Sequence, residues 1–144
     1  MKGKIIIVSA CLVGIPCRYS AEGALNENIQ RLATDNCLVP VCPEQLGGLP
    51  TPRAAAEIRA GRVVTVRGED VTEEFRRGAA AVLSVVRLIS ADMAILKSRS
   101  PSCGVGQIYD GTFTGSVTVG NGITAALLMS AGIAVSGDDS FLFP

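Results

Sequence analysis

Short apolar runs alternate along this chain with amphipathic stretches and with loops rich in Gly, Pro and Ser. The apolar runs cover residues 4–10, 38–41, 93–97 and 133–135, and each has the length of a buried strand. The first of them is apolar on both faces, as central strands of a parallel sheet are. The pattern therefore predicts strands that are covered on both sides.

Three amphipathic stretches between these runs predict helices over residues 22–34, 72–89 and 121–131. Leu25, Ile29 and Leu32 give the first helix its apolar stripe. The buried face of the second helix is predicted to consist of Phe75, Ala79, Val82, Val86 and Ile89. Thr72 is the expected N-cap of this helix, and Gly78 should weaken it. Asn121 or Thr124 is expected to cap the third.

The remaining segments predict smaller features. Residues 53–59 suggest a short helical turn, and residues 62–66 suggest an edge hairpin or an excursion from the main sheet. Asp110-Gly111 is a hairpin turn signal. The alternation of strands and helices predicts a Rossmann-like, doubly wound α/β fold with right-handed crossovers. Its sheet is expected to be mainly parallel, with helices on both faces, in a single domain spanning residues 1–144.

Composition and charge narrow the choice of partners. Of the 144 residues, 48% are hydrophobic, and 13 basic residues balance 13 acidic ones. Balanced charge gives no electrostatic footprint for duplex nucleic acid or for an anionic membrane. No run approaches the ~20 apolar residues of a membrane span. We therefore expect a small molecule as the partner and no obligate protein partner.

Five cysteines and no histidine restrict the chemistry to sulfur, carboxylates and hydroxyls. An odd cysteine count without a local pair favours thiols or metal ligands in the cytoplasm over a disulfide framework. Residues 8–11, Val-Ser-Ala-Cys, also look like a bacterial lipoprotein cleavage box. The apolar run before Cys11 is, however, shorter than the roughly 7–15 residues of a signal h-region.

Three of the cysteines follow predicted strands. Cys11 comes directly after the first strand, Cys42 after the second, and Cys103 lies a short loop beyond the third. Parallel strands end at one edge of the sheet, where open α/β folds bind ligands, so these thiols are expected to converge. Cys37 lies at the opposite edge and is interpreted as a space-filling residue. Cys17 lies in a loop near Cys11, and its role stays open.

Three thiolates on a cuboidal iron–sulfur cluster would leave one iron without a protein ligand. Glu44, two residues after Cys42, is an acid/base candidate, although a solvated loop carboxylate is the alternative. Ser100 and Ser102 either bind a ligand or cap a turn. The nearby cations that could hold an anion, or pair with Glu44, are Arg18, Arg53 and Lys97.

Several motifs resemble those of the 2-thiouracil desulfurase family. They occupy residues 9–14, 17–19, 39–53 and 96–104, and the Cys-Pro-Glu-Gln-Leu-Gly-Gly sequence at 42–48 is the most specific. Two later blocks, at residues 109–113 and 122–128, are also similar, so the resemblance covers essentially the whole chain. It implies a 4Fe-4S cluster on the three strand-end cysteines and catalytic roles for Glu44 and Ser100.

The resemblance implies that this protein removes sulfur from a thiolated pyrimidine by converting C=S to C=O without net redox change. The open iron is expected to bind the sulfur, Glu44 to act as acid or base, and Ser100 to orient substrate or water. Substrate binding is assigned to Ser102, Arg18 and Lys97. Two features depart from the family: relatives often carry Val at Cys17, and Tyr-Asp-Gly where residues 19–21 read Tyr-Ser-Ala. A non-catalytic metal-binding or thiol redox protein is the alternative.

Overall fold

The computed structural model describes residues 1–143. Its strands are β1 (Ile5–Ser9), β2 (Cys37–Val41), β3 (Ala56–Arg59), β4 (Arg62–Thr65), β5 (Met93–Leu96), β6 (Gln107–Tyr109), β7 (Val117–Val119) and β8 (Ala134–Gly137). Its α-helices are α1 (Glu27–Arg31), α2 (Pro43–Leu46), α3 (Thr72–Ile89) and α4 (Ile123–Ser130). No helix in these residues combines the length and the apolar character needed to cross a membrane.

The central sheet is parallel and has the strand order β2-β1-β5-β8. The chain moves outward from β1 to β2 and then returns to the other side of β1 for β5 and β8. This reversal creates a switch point between β1 and β5, the place where open α/β sheets form a binding crevice. The predicted doubly wound α/β fold is confirmed.

Apolar side chains project from both faces of the sheet. Ile6 and Val8 of β1 pack on one face with Ile29 of α1, and all three are buried. Ile7 points to the opposite face, where Val82 of α3 belongs to the same buried cluster. Alternate residues of a strand point to opposite faces, so a continuous apolar run such as 5–8 requires cover on both sides.

The first predicted helix is shorter than expected. Asn26 caps it, because its Oδ1 accepts the backbone N–H groups of Asn28 and Ile29, and the α-helical part then ends at Arg31. Leu25 therefore lies before the helix and is 51% exposed. An asparagine that offers backbone donors a local acceptor starts a helix at its own position and overrides the apolar spacing around it.

The expected helical turn at 53–59 is wrong, because residues Ala56–Arg59 form β3 and pair in antiparallel register with β4. The turn between them is Ala60-Gly61, with φ of 50° and 76°. Two consecutive positive φ values are the signature of a tight hairpin turn, which fixes the register. Antiparallel pairing with the β-branched strand β4 thus overrides the helix preference of the alanines.

Helix α3 confirms the prediction for residues 72–89, but its first turn differs. Val71 is the N-cap, and the hydroxyl of Thr72 instead accepts the backbone N–H of Val63, which ties α3 to β4. Gly78 is buried against α2, and a Cβ there would overlap the carbonyl of Pro43. The glycine that weakens the helix by propensity is thus required for the close approach of α2.

The Asp-Gly turn signal falls in a hairpin, as predicted. Strands β6 and β7 pair in antiparallel register, and residues 110–116 connect them in a longer loop. The N-cap of helix α4 is Gly122, and not Asn121 or Thr124 as predicted.

Candidate active site

A cavity of about 470 Å³ lies at the carboxyl edge of the parallel sheet. The predicted site residues that line it are Cys11, Cys42, Cys103, Glu44, Ser100, Arg18 and Lys97. Cys17 and Arg53 line it as well. The β3–β4 hairpin and the loop 110–116 contribute further residues to its wall. A cavity of this volume has the usual size of a small-molecule site.

The strand ends deliver the three cysteines to this cavity. Cys11 lies in a 3-10 turn, Ala10–Val13, that follows β1 directly, and Cys42 follows the last residue of β2. Cys103 lies in the loop after β5 and is 5% exposed. Cys37 starts β2 at the far edge of the sheet and is exposed, so it does not fill core space as its position suggested.

The thiols border one another in the cavity wall. The Sγ of Cys42 lies 3.7 Å from the carbonyl oxygen of Cys17. The neighbouring Cys17 thiol and burial raise the pKa of Cys42, and the Cys11 thiol raises the pKa of Cys17. Burial raises the pKa of Cys103 to about 11. Binding of a metal group would displace protons from such thiols, because the thiolate is the form that binds metal.

Within residues 1–143, no group of three or more Cys, Asp or Glu side chains converges as it would on a single metal ion. A cluster of several irons requires a different ligand geometry, because each of its cysteine ligands binds a different iron. Such a group needs thiols that border a shared space, and the cavity offers this arrangement with four of them. The donor set of sulfur without histidine also matches iron–sulfur ligation.

Arg53 is the centre of the polar contacts beside the thiols. Its Nε donates to Glu44 Oε1 at 3.0 Å, and its Nη2 donates to the carbonyl oxygen of Cys17 at 2.9 Å. Its Nη1 donates to Thr51 Oγ1 and to the carbonyl of Pro50. The Arg53 side chain is only 6% exposed. Sequence reasoning named Arg53 as a possible partner of Glu44 but did not include it in the site.

Ser100 and Ser102 occupy different environments. Ser100 lines the cavity, and its Oγ accepts the backbone N–H groups of Ser102 at 3.1 Å and of Cys103 at 2.6 Å. Ser102 is 1% exposed, and its Oγ lies 3.0 Å from Thr124 Oγ1 on α4. Ser100 therefore shapes the turn that presents Cys103, whereas Ser102 connects that turn to α4.

Two cationic side chains reach the cavity from opposite loops. The Arg18 guanidinium lies over the ring of Tyr19, 5.9 Å from its centroid, and makes no ion pair within the described residues. Lys97 follows β5, and its Nζ lies 3.3 Å from Ser98 Oγ. Both can offer hydrogen-bond donors to a polar ligand.

The first loop contains an unusual backbone conformation. Ala21 has a φ of 63°, and its N–H donates to the carbonyl of Arg18 at 2.8 Å. A left-handed φ costs an alanine energy that a glycine does not incur. Ala21 stands at the glycine of the Tyr-Asp-Gly pattern, from which Ser20 also departs.

The far wall of the cavity contains groups that sequence reasoning missed. Glu57 on β3 is 8% exposed, and its Oε1 accepts the backbone N–H groups of Gly111 and Phe113. Arg59 donates from Nε and Nη2 to the carbonyl of Gly111. The loop 110–116 is thus attached to the hairpin. No local motif marks Glu57, because its partners lie more than 50 residues away in sequence.

Comparison with known proteins decides the family. The model of the 2-thiouracil desulfurase family matches residues 6–140. The chain belongs to the 2-thiouracil desulfurase family. Among its relatives, the uncharacterized protein YbbK of Bacillus subtilis (strain 168) is 46% identical over 94% of this chain and 96% of its own.

A solved structure of a thiouracil desulfidase shares the fold of this chain. The [4Fe-4S]-dependent thiouracil desulfidase TudS is 44% identical and superimposes with a TM-score of 0.87. The match covers 96% of this chain and 92% of TudS. The resemblance inferred from the sequence motifs is therefore confirmed.

Proposed function

We propose that this desulfurase family member removes sulfur from a thiolated pyrimidine and depends on a 4Fe-4S cluster. The observation that carries the proposal is one cavity, at the sheet switch point, that contains four thiols and the Glu44–Arg53 pair. The likeness to TudS, whose name states the same cofactor and activity, supports it. The overall reaction balances as thiocarbonyl plus water giving carbonyl plus hydrogen sulfide.

The residues that would hold the cluster are Cys11, Cys42 and Cys103. When bound by three cysteines, a 4Fe-4S cluster supplies one iron that is open to a sulfur ligand and acts as a Lewis acid. The low exposure of Cys11 and Cys103 keeps bulk water away from that part of the cavity. Cys17 is not required as a ligand in this proposal.

Glu44 is the proposed base that takes a proton from water. Arg53 holds its Oε1, whereas Oε2 has no hydrogen-bond partner within residues 1–143. A carboxylate fixed by one oxygen presents the other in a defined direction, which is what general base catalysis needs. The proton taken up by Glu44 can then be passed to the departing sulfur.

Ser100 is proposed to orient the substrate or the attacking water. Its Oγ already accepts two backbone N–H groups, so its own O–H is left to donate. Arg18 and Lys97 are proposed to bind polar groups of the substrate from the two flanking loops. For Ser102, the contact with Thr124 supports a role in holding the Cys103 turn rather than direct contact with substrate.

Anaerobic purification followed by iron and sulfide analysis tests the cluster. Alanine substitution of Cys11, Cys42 or Cys103 should each abolish cluster retention and the absorbance near 400 nm characteristic of such clusters. Cys37→Ala and Cys17→Val are matched controls and should retain iron. A full cluster in any of the three alanine variants would contradict the ligand assignment. Wild-type protein that holds the cluster but leaves 2-thiouracil unchanged would instead indicate a non-catalytic cluster-binding protein.

Glu44→Gln tests the base. The variant keeps the shape of the side chain, so the cluster should remain at the wild-type level. Turnover of 2-thiouracil should fall by roughly 10²–10⁴-fold, the usual contribution of a general base. Normal turnover in this variant would contradict the assignment of Glu44 as the base.

The five cysteines are free thiols in this structure, and a thiol-bound cluster is stable in a reducing compartment. We therefore place the protein in the cytoplasm, which cell fractionation can test.

A further inference from the structure

Glu57 is a buried carboxylate that no cation neutralises. It is 8% exposed, and none of the ion pairs within residues 1–143 includes it. Its Oε1 accepts two backbone N–H groups, from Gly111 at 2.9 Å and from Phe113 at 3.1 Å. Those two bonds attach the loop to the hairpin and account for one carboxylate oxygen only.

The second oxygen of Glu57 takes no part in the contacts that hold the loop. Oε2 has no hydrogen-bond partner in the described residues, yet it is not sealed from solvent, unlike Oε2 of Glu74. Glu57 lines the same cavity as the thiols and Glu44. An acceptor that opens on a cavity and is not used by the protein can bind a ligand that supplies a donor in place of water.

We propose that Glu57 is a substrate-binding residue whose Oε2 accepts a ring N–H of the thiolated pyrimidine. This inference rests on the proposed desulfurase function. In 2-thiouracil the thiocarbonyl carbon lies between two ring N–H groups, so a substrate that directs its sulfur towards the cysteines has donors beside it. An acceptor fixed by two backbone bonds would select a ring with a free N–H and reject one alkylated at that nitrogen.

The arrangement also explains why a carboxylate, and not an amide, suits this position. Glutamine has a single side-chain oxygen, and the N–H groups of Gly111 and Phe113 both need it. The amide NH₂ of a glutamine would then point into the cavity, where it would meet the ring N–H as a second donor. Glu57→Gln therefore keeps the loop attached but replaces the acceptor in the cavity by a donor.

The experiment compares wild-type protein, Glu57→Gln and the control Glu69→Gln, each with its cluster. Glu69 is an exposed carboxylate in the turn just beyond β4. For 2-thiouracil, kcat/KM should fall roughly tenfold or more in Glu57→Gln, mainly through KM, and stay unchanged in Glu69→Gln. Equilibrium binding of uracil, which keeps both ring N–H groups but has no sulfur, should weaken in the same way.

The 1-methyl and 3-methyl derivatives of 2-thiouracil complete the test. If Oε2 contacts one ring nitrogen, methylation of that nitrogen and Glu57→Gln remove the same interaction, so their penalties should not multiply. Penalties that multiply for both derivatives, or an unchanged KM in Glu57→Gln, would overturn the inference. Failure of the wild-type protein to convert 2-thiouracil would count against the proposed function instead.

Discussion

Arg53 links the two chemical parts of the cavity. Its guanidinium donates hydrogen bonds both to the Glu44 carboxylate and to the carbonyl oxygen of Cys17. The side chain of Cys17 is one of the four thiols in the cavity wall. A planar fork with five donors can satisfy these acceptors together with Pro50 and Thr51, whereas an ammonium group cannot reproduce that geometry. Arg53 is therefore a positioning residue for both Glu44 and the first loop.

Arg53→Lys should retain the positive charge and lose the fixed geometry. We expect a loss of stability of about 1–3 kcal/mol from buried acceptors left without partners. We also expect a fall in kcat of roughly tenfold or more, because the base becomes misplaced. Thermal unfolding and steady-state kinetics measure the two effects. Arg67→Lys, at an exposed arginine, is the control and should change neither; wild-type kinetics in Arg53→Lys would contradict the positioning role.

At the scale of elements, the short helix α2 depends on two glycines. A Cβ at Gly47 would overlap the carbonyl of Glu74 on α3, and a Cβ at Gly78 would overlap the carbonyl of Pro43 on α2. The two backbones approach each other at these positions. Because α2 contains Glu44 and follows Cys42, this contact sets the position of both the proposed base and one proposed ligand.

Gly78→Ala tests that contact. In an exposed helix, alanine in place of glycine would stabilise by about 1 kcal/mol. Here the overlap with backbone should outweigh this gain and destabilise by about 1–3 kcal/mol, and activity should fall as α2 moves. Ala80→Gly, at an exposed position of the same helix, should cost about 1 kcal/mol and leave kcat unchanged. A Gly78→Ala variant more stable than wild type would contradict the packing argument.

At the scale of the whole molecule, the sheet core consists mainly of aliphatic side chains that do not line the cavity. The cluster of buried residues between the sheet and helices α3 and α4 includes Ile7, Val82, Val86 and Leu128. Of the cysteines, only Cys103 belongs to it. The other face adds Ile6 and Val8 with α1, and Cys11 and Cys17 belong to that second cluster. Burial of this many apolar side chains is the main source of folding free energy.

Removal of the proposed 4Fe-4S cluster should therefore leave the fold intact. Far-UV circular dichroism of the cluster-free protein should match that of the loaded protein. The melting temperature should be lower, because a group that binds only the native state stabilises it by mass action. Loss of the helical and strand signal on removal would show that the cluster is needed for folding.

The sequence by itself determined the parallel strands, helix α3 and the edge at which three cysteines lie. These features depend on local apolar patterns and on the fixed direction of parallel strands. It failed at residues 53–59, where pairing with β4 overrode alanine preference, and at Leu25, which a local cap excluded from the helix.

Only the tertiary structure decided the contacts between distant segments. The partners of Glu57 lie 54 and 56 residues away, and the carbonyl that Arg53 binds lies 36 residues away. Hydrogen bonds of this range leave no periodic trace in a sequence, since they depend on how loops meet after the sheet has formed. The sequence placed the thiols at one edge, and the folded chain set Arg53 and Glu57 around them.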